Sequence, residues 1–302
     1  MDYRRVARYF IFPAVAALLS GLILGNSARR TSELTSELNA EETSPRPIEL
    51  VQNSGKAALK LQGEWGTLSG RFIYDGPIPE PVPISVNKDE EYCSKDKPYD
   101  ESLIVNKENS GIANVVVRLE VKTGDKIPVH DSYRESATAR VPLDNKSCRF
   151  VPHVCLLRTT QTLVITNSDD VSHNTAAYLD RNDPFNEVTA VRQSTEKTIA
   201  RPERMPAKVN CSIHPWMAGW LVVSDHPYAA VSDPDGRFQI ENLPAGEWTF
   251  QVWQEKGGWI RKAKQEGKPV EWKRGRVTIK IEPGKNSLGE IRLSPDAFTG
   301  EE

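Results

Sequence analysis

Cys211, His214 and Met217 fall at i, i+3 and i+6 in one short stretch, Val209-Asn210-Cys211-Ser212-Ile213-His214-Pro215-Trp216-Met217, between two apolar segments. A thiol, an imidazole and a thioether at this spacing place three soft or borderline metal ligands in one loop. A second imidazole is available upstream at His173, within Ser172-His173-Asn174. Thiolate and thioether suit Cu(I), while imidazole also serves Cu(II). Two His, one Cys and a weak axial Met are the set that lets copper pass between these states.

Each residue also has a plainer use. Cys211 could be half of a disulfide, as exported cysteines often are. His214 could be a surface residue and Met217 a core filler. Only three methionines occur, one of them the initiator, which makes the position of Met217 hard to ascribe to chance. Met205 is an alternative thioether, next to Pro206. The fixed spacing, joined to a distant His-Asn pair, favours the metal reading.

The elements that must position these residues read as strands. Apolar runs are short and rich in Val, Ile, Leu and Trp, and 21 Pro and 19 Gly punctuate them, a pattern of many short strands. Strands are expected from Trp65 to Tyr74, over Leu103–Val105, Ile112–Glu120 and Phe150–Leu157, over Thr162–Asn167, and over Leu221–Val223. A segment ending in Thr166-Asn167-Ser168-Asp169, then Ser172-His173-Asn174, then Cys-x₂-His-x₂-Met leading into Trp220-Leu221-Val222-Val223 resembles a cupredoxin over residues 142–228. The short loop is similar to the amicyanin branch. The resemblance implies a Greek-key β-sandwich with one type 1 copper ion at one end, held by His173, Cys211, His214 and Met217. It implies that Asn174 ties the two ligand loops together by bonding toward Ser212. It also implies that the ring edge of His214 lies at the surface as the electron exit, with Pro215, Trp216 and Trp220 as an apolar collar, plain core packing being the equal alternative for each Trp.

A second resemblance brackets the first. Gly66–Phe72 and Ala113–Leu119 are similar to the opening strands of a carboxypeptidase regulatory-like (transthyretin- or prealbumin-like) β-sandwich, a module without peptidase activity of its own. Its later strands would be Ala230–Ile240, Leu243–Trp253, Val277–Ile281 and Ser287–Leu293, with Asp235-Gly236 as a hairpin signal. The expected fold class is therefore all-β. The expected layout has a discontinuous sandwich, residues 61–141 and 229–295, with the cupredoxin inserted at 142–228.

The chain of 302 residues is 38% hydrophobic and 26% charged, with net charge −2. That balance gives no reason to expect nucleic-acid binding. Residues 1–28 carry Arg4, Arg5 and Arg8 ahead of an apolar run from Tyr9 to Gly25, which reads as a signal peptide or an N-terminal membrane anchor. Residues 29–60 are polar and Ser/Thr/Glu/Pro-rich, a flexible linker. The body is then exported, periplasmic or tethered outside the membrane.

Of the remaining cysteines, Cys93 and Cys148 lie in loop-like polar surroundings and are the favoured disulfide pair, whereas Cys155 reads as a buried free thiol. Cys148, His153 and Cys155 also invite a second metal, although His153 is more simply a hydrogen-bonded packing residue. His130 and His226 have no evident metal partners and read as exposed. The basic stretch from Glu255 to Arg276 reads as a solvated loop, with a docking face for an acidic partner as the alternative.

The reading is a monomeric electron carrier between redox protein partners. Four protein ligands leave no open coordination position, and neither a G-x-S-x-G motif nor a nucleophile–base pair is evident, so it is read as no enzyme. An oxidase or nitrite reductase would need more His ligands than five histidines supply. The alternative is an extracytoplasmic copper-binding, storage or structural module without a redox role.

Overall fold

The computed structural model describes residues 64–122 and 124–299. The segments read as signal or anchor and as linker lie outside them. The alternation from Trp65 onward becomes strand β1 (Trp65–Tyr74), followed by a four-residue helix α1 (Glu90–Cys93) and β2 (Val116–Leu119). The middle of the chain forms β3 (Arg140–Lys146), β4 (Arg149–Val151), β5 (Val154–Arg158), β6 (Thr162–Asn167), β7 (His173–Ala177), β8 (Phe185–Thr189), β9 (Ser194–Thr198), β10 (Ala207–Asn210) and β11 (Ala218–Ser224). The last part forms β12 (Ala229–Val231), β13 (Arg237–Pro244), β14 (Gly246–Gln254), β15 (Gly258–Trp259), β16 (Lys262–Gln265), β17 (Lys268–Glu271), β18 (Arg276–Ile281) and β19 (Gly284–Leu293). The fold is all-β.

Early and late strands share sheets. β1 runs antiparallel to β13 and parallel to β19, in a sheet ordered β13-β1-β19-β16-β17. β2 lies between β12 and β14 in a second sheet, with β15 and β18 also paired to β14. Leu68 and Phe72 of β1, Phe238 and Ile240 of β13, Val117 and Leu119 of β2, and Phe250 and Val252 of β14 meet in one core between these sheets. The middle strands form the sheets β5-β11-β10-β7-β8 and β4-β3-β6-β9. Leu143, Leu163, Ile165, Val209, Leu221 and Val223 fill the core between that pair.

The two sandwiches stack. Val116 of β2 and Trp253 of β14 turn away from their own core and pack with Val154 of β5 and Val222 of β11. A strand covered on both faces has no solvent side, which is why Val115-Val116-Val117 is an unbroken apolar run. Each of those large side chains, taken fully out of water, contributes about 1.5–3 kcal/mol. All of this lies in one compact unit, residues 58–302.

Several expected elements differ. Leu103–Val105 is not a strand; only Val105 makes an isolated bridge, to Ile112. The strand expected over Ile112–Glu120 shortens to β2 because Asn114 takes a left-handed backbone, φ 62°. Phe150–Leu157 divides into β4 and β5. The basic stretch is not a solvated loop: β16 and β17 form an antiparallel hairpin, anchored by buried Ile260, Ala263 and Trp272.

Candidate metal centre

Antiparallel pairing of β7 with β10 sets Ala177 opposite Val209 and Ala176 opposite Asn210. The same register, carried past the strand ends, brings His173 and Asn174 alongside the residues that follow Cys211. β10 and β11 pair from Asn210–Ala218 outward, so residues 211–217 form a short loop at that end of the sandwich. The loop is closed by its own backbone: Cys211 N–H donates to Met217 O at 3.1 Å, and Met217 N–H donates to His214 O at 2.9 Å. His173, Cys211 and His214 are each 0% exposed, and Met217 is 1% exposed.

One ligand atom from each of His173, Cys211 and His214 lies within 4.8 Å of the others. His173 Nδ1 and His214 Nδ1 are 2.9 Å apart, and Cys211 Sγ is 3.8 Å from His214 Nδ1. Met217 belongs to the same buried cluster as Cys211. The outer nitrogens are already used. His173 Nε2–H donates to Asp169 Oδ2 at 2.9 Å, and His214 Nε2–H donates to Asp89 Oδ2 at 2.8 Å. With Nε2 protonated on each ring, the two Nδ1 lone pairs face each other. Two acceptors at that distance repel unless a cation, a proton or a metal ion, lies between them. The donor set therefore fits a soft or borderline metal, and carboxylates behind ligating imidazoles are the usual way to fix tautomer and orientation.

The sulfur is prepared for the same role. Burial by itself would raise the Cys211 thiol. Hydrogen bonds from the His173 and His214 imidazoles, when a proton occupies the Nδ1 side, and from the amides of Asn174 and His214 outweigh burial and bring it down to about 6. Both amides donate to Sγ at 3.4 Å. These donors favour the thiolate that a soft metal requires. Burial also opposes the charged form of His173, but Asp169 and Cys211 overcome it and raise the imidazole above its ordinary value.

Asp169 is a hub that the sequence did not single out. Besides His173 it accepts Ser147 N–H at 2.6 Å, Cys148 N–H at 2.8 Å and Tyr92 Oη–H at 3.1 Å. Ser147 and Cys148 form the β3–β4 turn with positive φ at both positions, 55° and 53°. Such a turn ordinarily takes Asn-Gly. Here a carboxylate that captures both amides compensates for the missing glycine. Burial would raise the Asp169 carboxyl, yet these donors and His173 hold it below its ordinary value.

Cys93 and Cys148 are joined in a disulfide, with Cα atoms 5.5 Å apart. They are 2% and 0% exposed, so the polar surroundings read from the sequence are wrong. Cys155 is a buried free thiol on β5, and burial pushes it up to about 12. A second metal at Cys148, His153 and Cys155 is ruled out by the disulfide. His153 instead donates to Glu255 at 2.6 Å.

Three further expectations are corrected. The edge of His214 is not at the surface, because Asp89 covers it. Trp220 is not part of a collar: it packs edge-on to Trp253 at 4.7 Å, against the neighbouring sandwich, while Pro215 is exposed and Trp216 half-buried beside His214. His226 is 5% exposed, and His130 is half-buried edge-on to Trp65.

No protein-family model matches the chain, and no curated protein matches it. Among solved structures, a purple cupredoxin from Nitrosopumilus maritimus is 23% identical, over 28% of this chain and 99% of that chain, with TM-score 0.24. A Cu(I) amicyanin variant is 16% identical, over 28% of this chain and 82% of that chain, with TM-score 0.26. A copper-containing nitrite reductase from Thermus scotoductus is 19% identical, over 35% of this chain and 25% of that chain, with TM-score 0.26.

Proposed function

We propose that this chain passes single electrons between redox proteins through one copper ion, which His173 Nδ1, Cys211 Sγ and His214 Nδ1 would hold with Met217 as a fourth donor. Copper in such a set would supply reversible one-electron chemistry. The observation that carries the reading is the convergence of two inward Nδ1 atoms and a thiol, all three residues 0% exposed, with both Nε2 atoms held by carboxylates. The residues do the rest. Asn174 joins the two ligand loops, Asp169 and Asp89 fix the rings, and burial excludes water. Four protein groups close the set, so substrate chemistry at the metal is not part of the proposal.

The buried disulfide supports an exported chain, since such bonds persist in oxidising compartments. We take the two sheets built from strands before and after the middle segment as one sandwich, discontinuous in sequence and stacked against the copper-holding one. The cover over His214 favours one second reading, in which the site stores copper. Rapid oxidation and reduction by small redox proteins with retention of the ion supports the carrier. Release of the ion on reduction supports storage. The visible spectrum of the copper-loaded chain, with and without Cys211→Ser, tests the site itself.

A further inference from the structure

The chain between β1 and β2 makes an excursion whose two ends are tied together. Ile84 N–H donates to Pro98 O at 3.0 Å, Asp100 N–H donates to Val82 O at 2.8 Å, and Pro83 and Tyr99 form a bridge. Its tip is α1, fastened to the β3–β4 turn by Cys93–Cys148. Three successive features of this tip reach the outside of the metal centre. Asp89 takes His214 Nε2, Tyr92 takes Asp169, which holds His173 Nε2, and Cys93 is bonded to the residue whose amide also donates to Asp169.

Asp89 departs from local rules to do this. It stands at the N-cap of α1, where an Asp side chain ordinarily accepts a backbone amide of its own helix. Here it makes no such cap, and its backbone is left-handed, φ 48° and ψ 41°. That conformation costs a non-glycine residue free energy and persists where the surroundings impose it. The carboxylate diverted from its cap meets an imidazole 125 positions away in the chain and 0% exposed.

We propose that the excursion from residue 83 to residue 99 is a stapled outer clamp on the metal centre, with Asp89 as the positioning residue for His214. The disulfide places the clamp, the Asp89 carboxylate fixes the ring so that Nδ1 points inward, and Tyr92 does the same for His173 through Asp169. The inference rests on the copper reading for its metal but not for its geometry, and the two are tested apart.

In the metal-free protein, nitrogen-15 spectra of the imidazoles should show a slowly exchanging His214 Nε2–H. Asp89→Ala should abolish it, and Asp89→Asn, which retains an acceptor oxygen, should restore it. A proton equally protected in Asp89→Ala overturns the clamp, whatever the protein does with copper. With copper, Asp89→Ala should weaken binding by about 10–100-fold, the usual effect of removing a partner of a ligating His, and shift the visible and electron paramagnetic resonance spectra. Asp89→Asn should stay near wild type. Cys93→Ala/Cys148→Ala should resemble Asp89→Ala although Asp89 is intact. If that double variant does not fold, Tyr92→Phe, which removes only the bond to Asp169, should give a smaller loss of affinity. Unchanged affinity and spectra in Asp89→Ala would overturn the positioning role. A wild-type chain that takes up no copper would overturn the copper reading alone, and the metal-free spectra would still decide the clamp.

Discussion

The side-chain oxygen of Asn174 accepts the backbone N–H of Ser212 at 2.7 Å, which joins the start of β7 to the loop carrying Cys211 and His214. Ile213 N–H donates to the same oxygen at 3.2 Å, and the backbone N–H of Asn174 donates to Cys211 Sγ at 3.4 Å. One residue thus registers a histidine loop against a cysteine loop and contributes a bond to the sulfur.

Asn174→Ala keeps the backbone donor to Cys211 but leaves two loop amides without their acceptor. Unsatisfied amides of this kind cost about 1–3 kcal/mol. Urea unfolding of the metal-free variant should show a loss in that range, and its copper-loaded form should have a broader visible band. An unchanged unfolding midpoint would mean that the two loops are held together by other contacts.

The Cys93–Cys148 bond closes a loop with a sequence separation of 55. By the chain-entropy relation, a cross-link of that span restricts the unfolded chain by about 4 kcal/mol. Cys93→Ala/Cys148→Ala should therefore lower stability by several kcal/mol in urea unfolding while leaving β-sheet circular dichroism intact. A loss below about 1 kcal/mol would argue that the staple contributes little beyond placing α1.

His226 supplies a pH-dependent term. Burial pushes its imidazole down to about 4 from the ordinary value of 6.5, and its Nδ1 accepts Tyr228 N–H at 3.2 Å. Below pH 6.5 the unfolded chain takes up a proton that the folded chain refuses until about pH 4. The stability owed to neutral His226 is therefore complete above pH 6.5 and is lost as pH falls through that window. At about 1.4 kcal/mol per pH unit, the loss is roughly 3 kcal/mol. The unfolding free energy followed from pH 7 to pH 4 should fall more steeply for the native chain than for His226→Gln. Parallel curves would contradict the assignment.

What could be read from residue order was whatever the chain keeps local. The loop from Cys211 to Met217 carries three donors within seven residues, and His173-Asn174 stands at a strand start. The loop was legible because neighbours in sequence remain neighbours in a hairpin, whereas His173-Asn174, on a strand not next to it in the chain, was joined to it by the ligand-set pattern and the resemblance. That segments before and after the middle of the chain belong together was expected only from the second resemblance, and the pairing of β1 with β13 and β19 was not read from the residues. Nor were the carboxylates behind the rings. Asp169 stands four residues before His173 but resembles any loop aspartate until the β3–β4 turn folds against it. Asp89 reaches His214 only because a disulfide brings a distant excursion over the site. Spacing gives no sign of this, and its one trace in the sequence is Cys93. The buried state of His226 was hidden as well, since it stands in the polar turn between β11 and β12 yet is 5% exposed.

The most direct test of the central claim is the visible absorption of the copper-loaded chain beside that of Cys211→Ser. An intense thiolate-to-Cu(II) charge-transfer band in the native chain, absent from the serine variant, is the predicted result. A copper-loaded native chain without colour, or colour that survives Cys211→Ser, would contradict the assignment of Cys211 and with it the electron-carrier function.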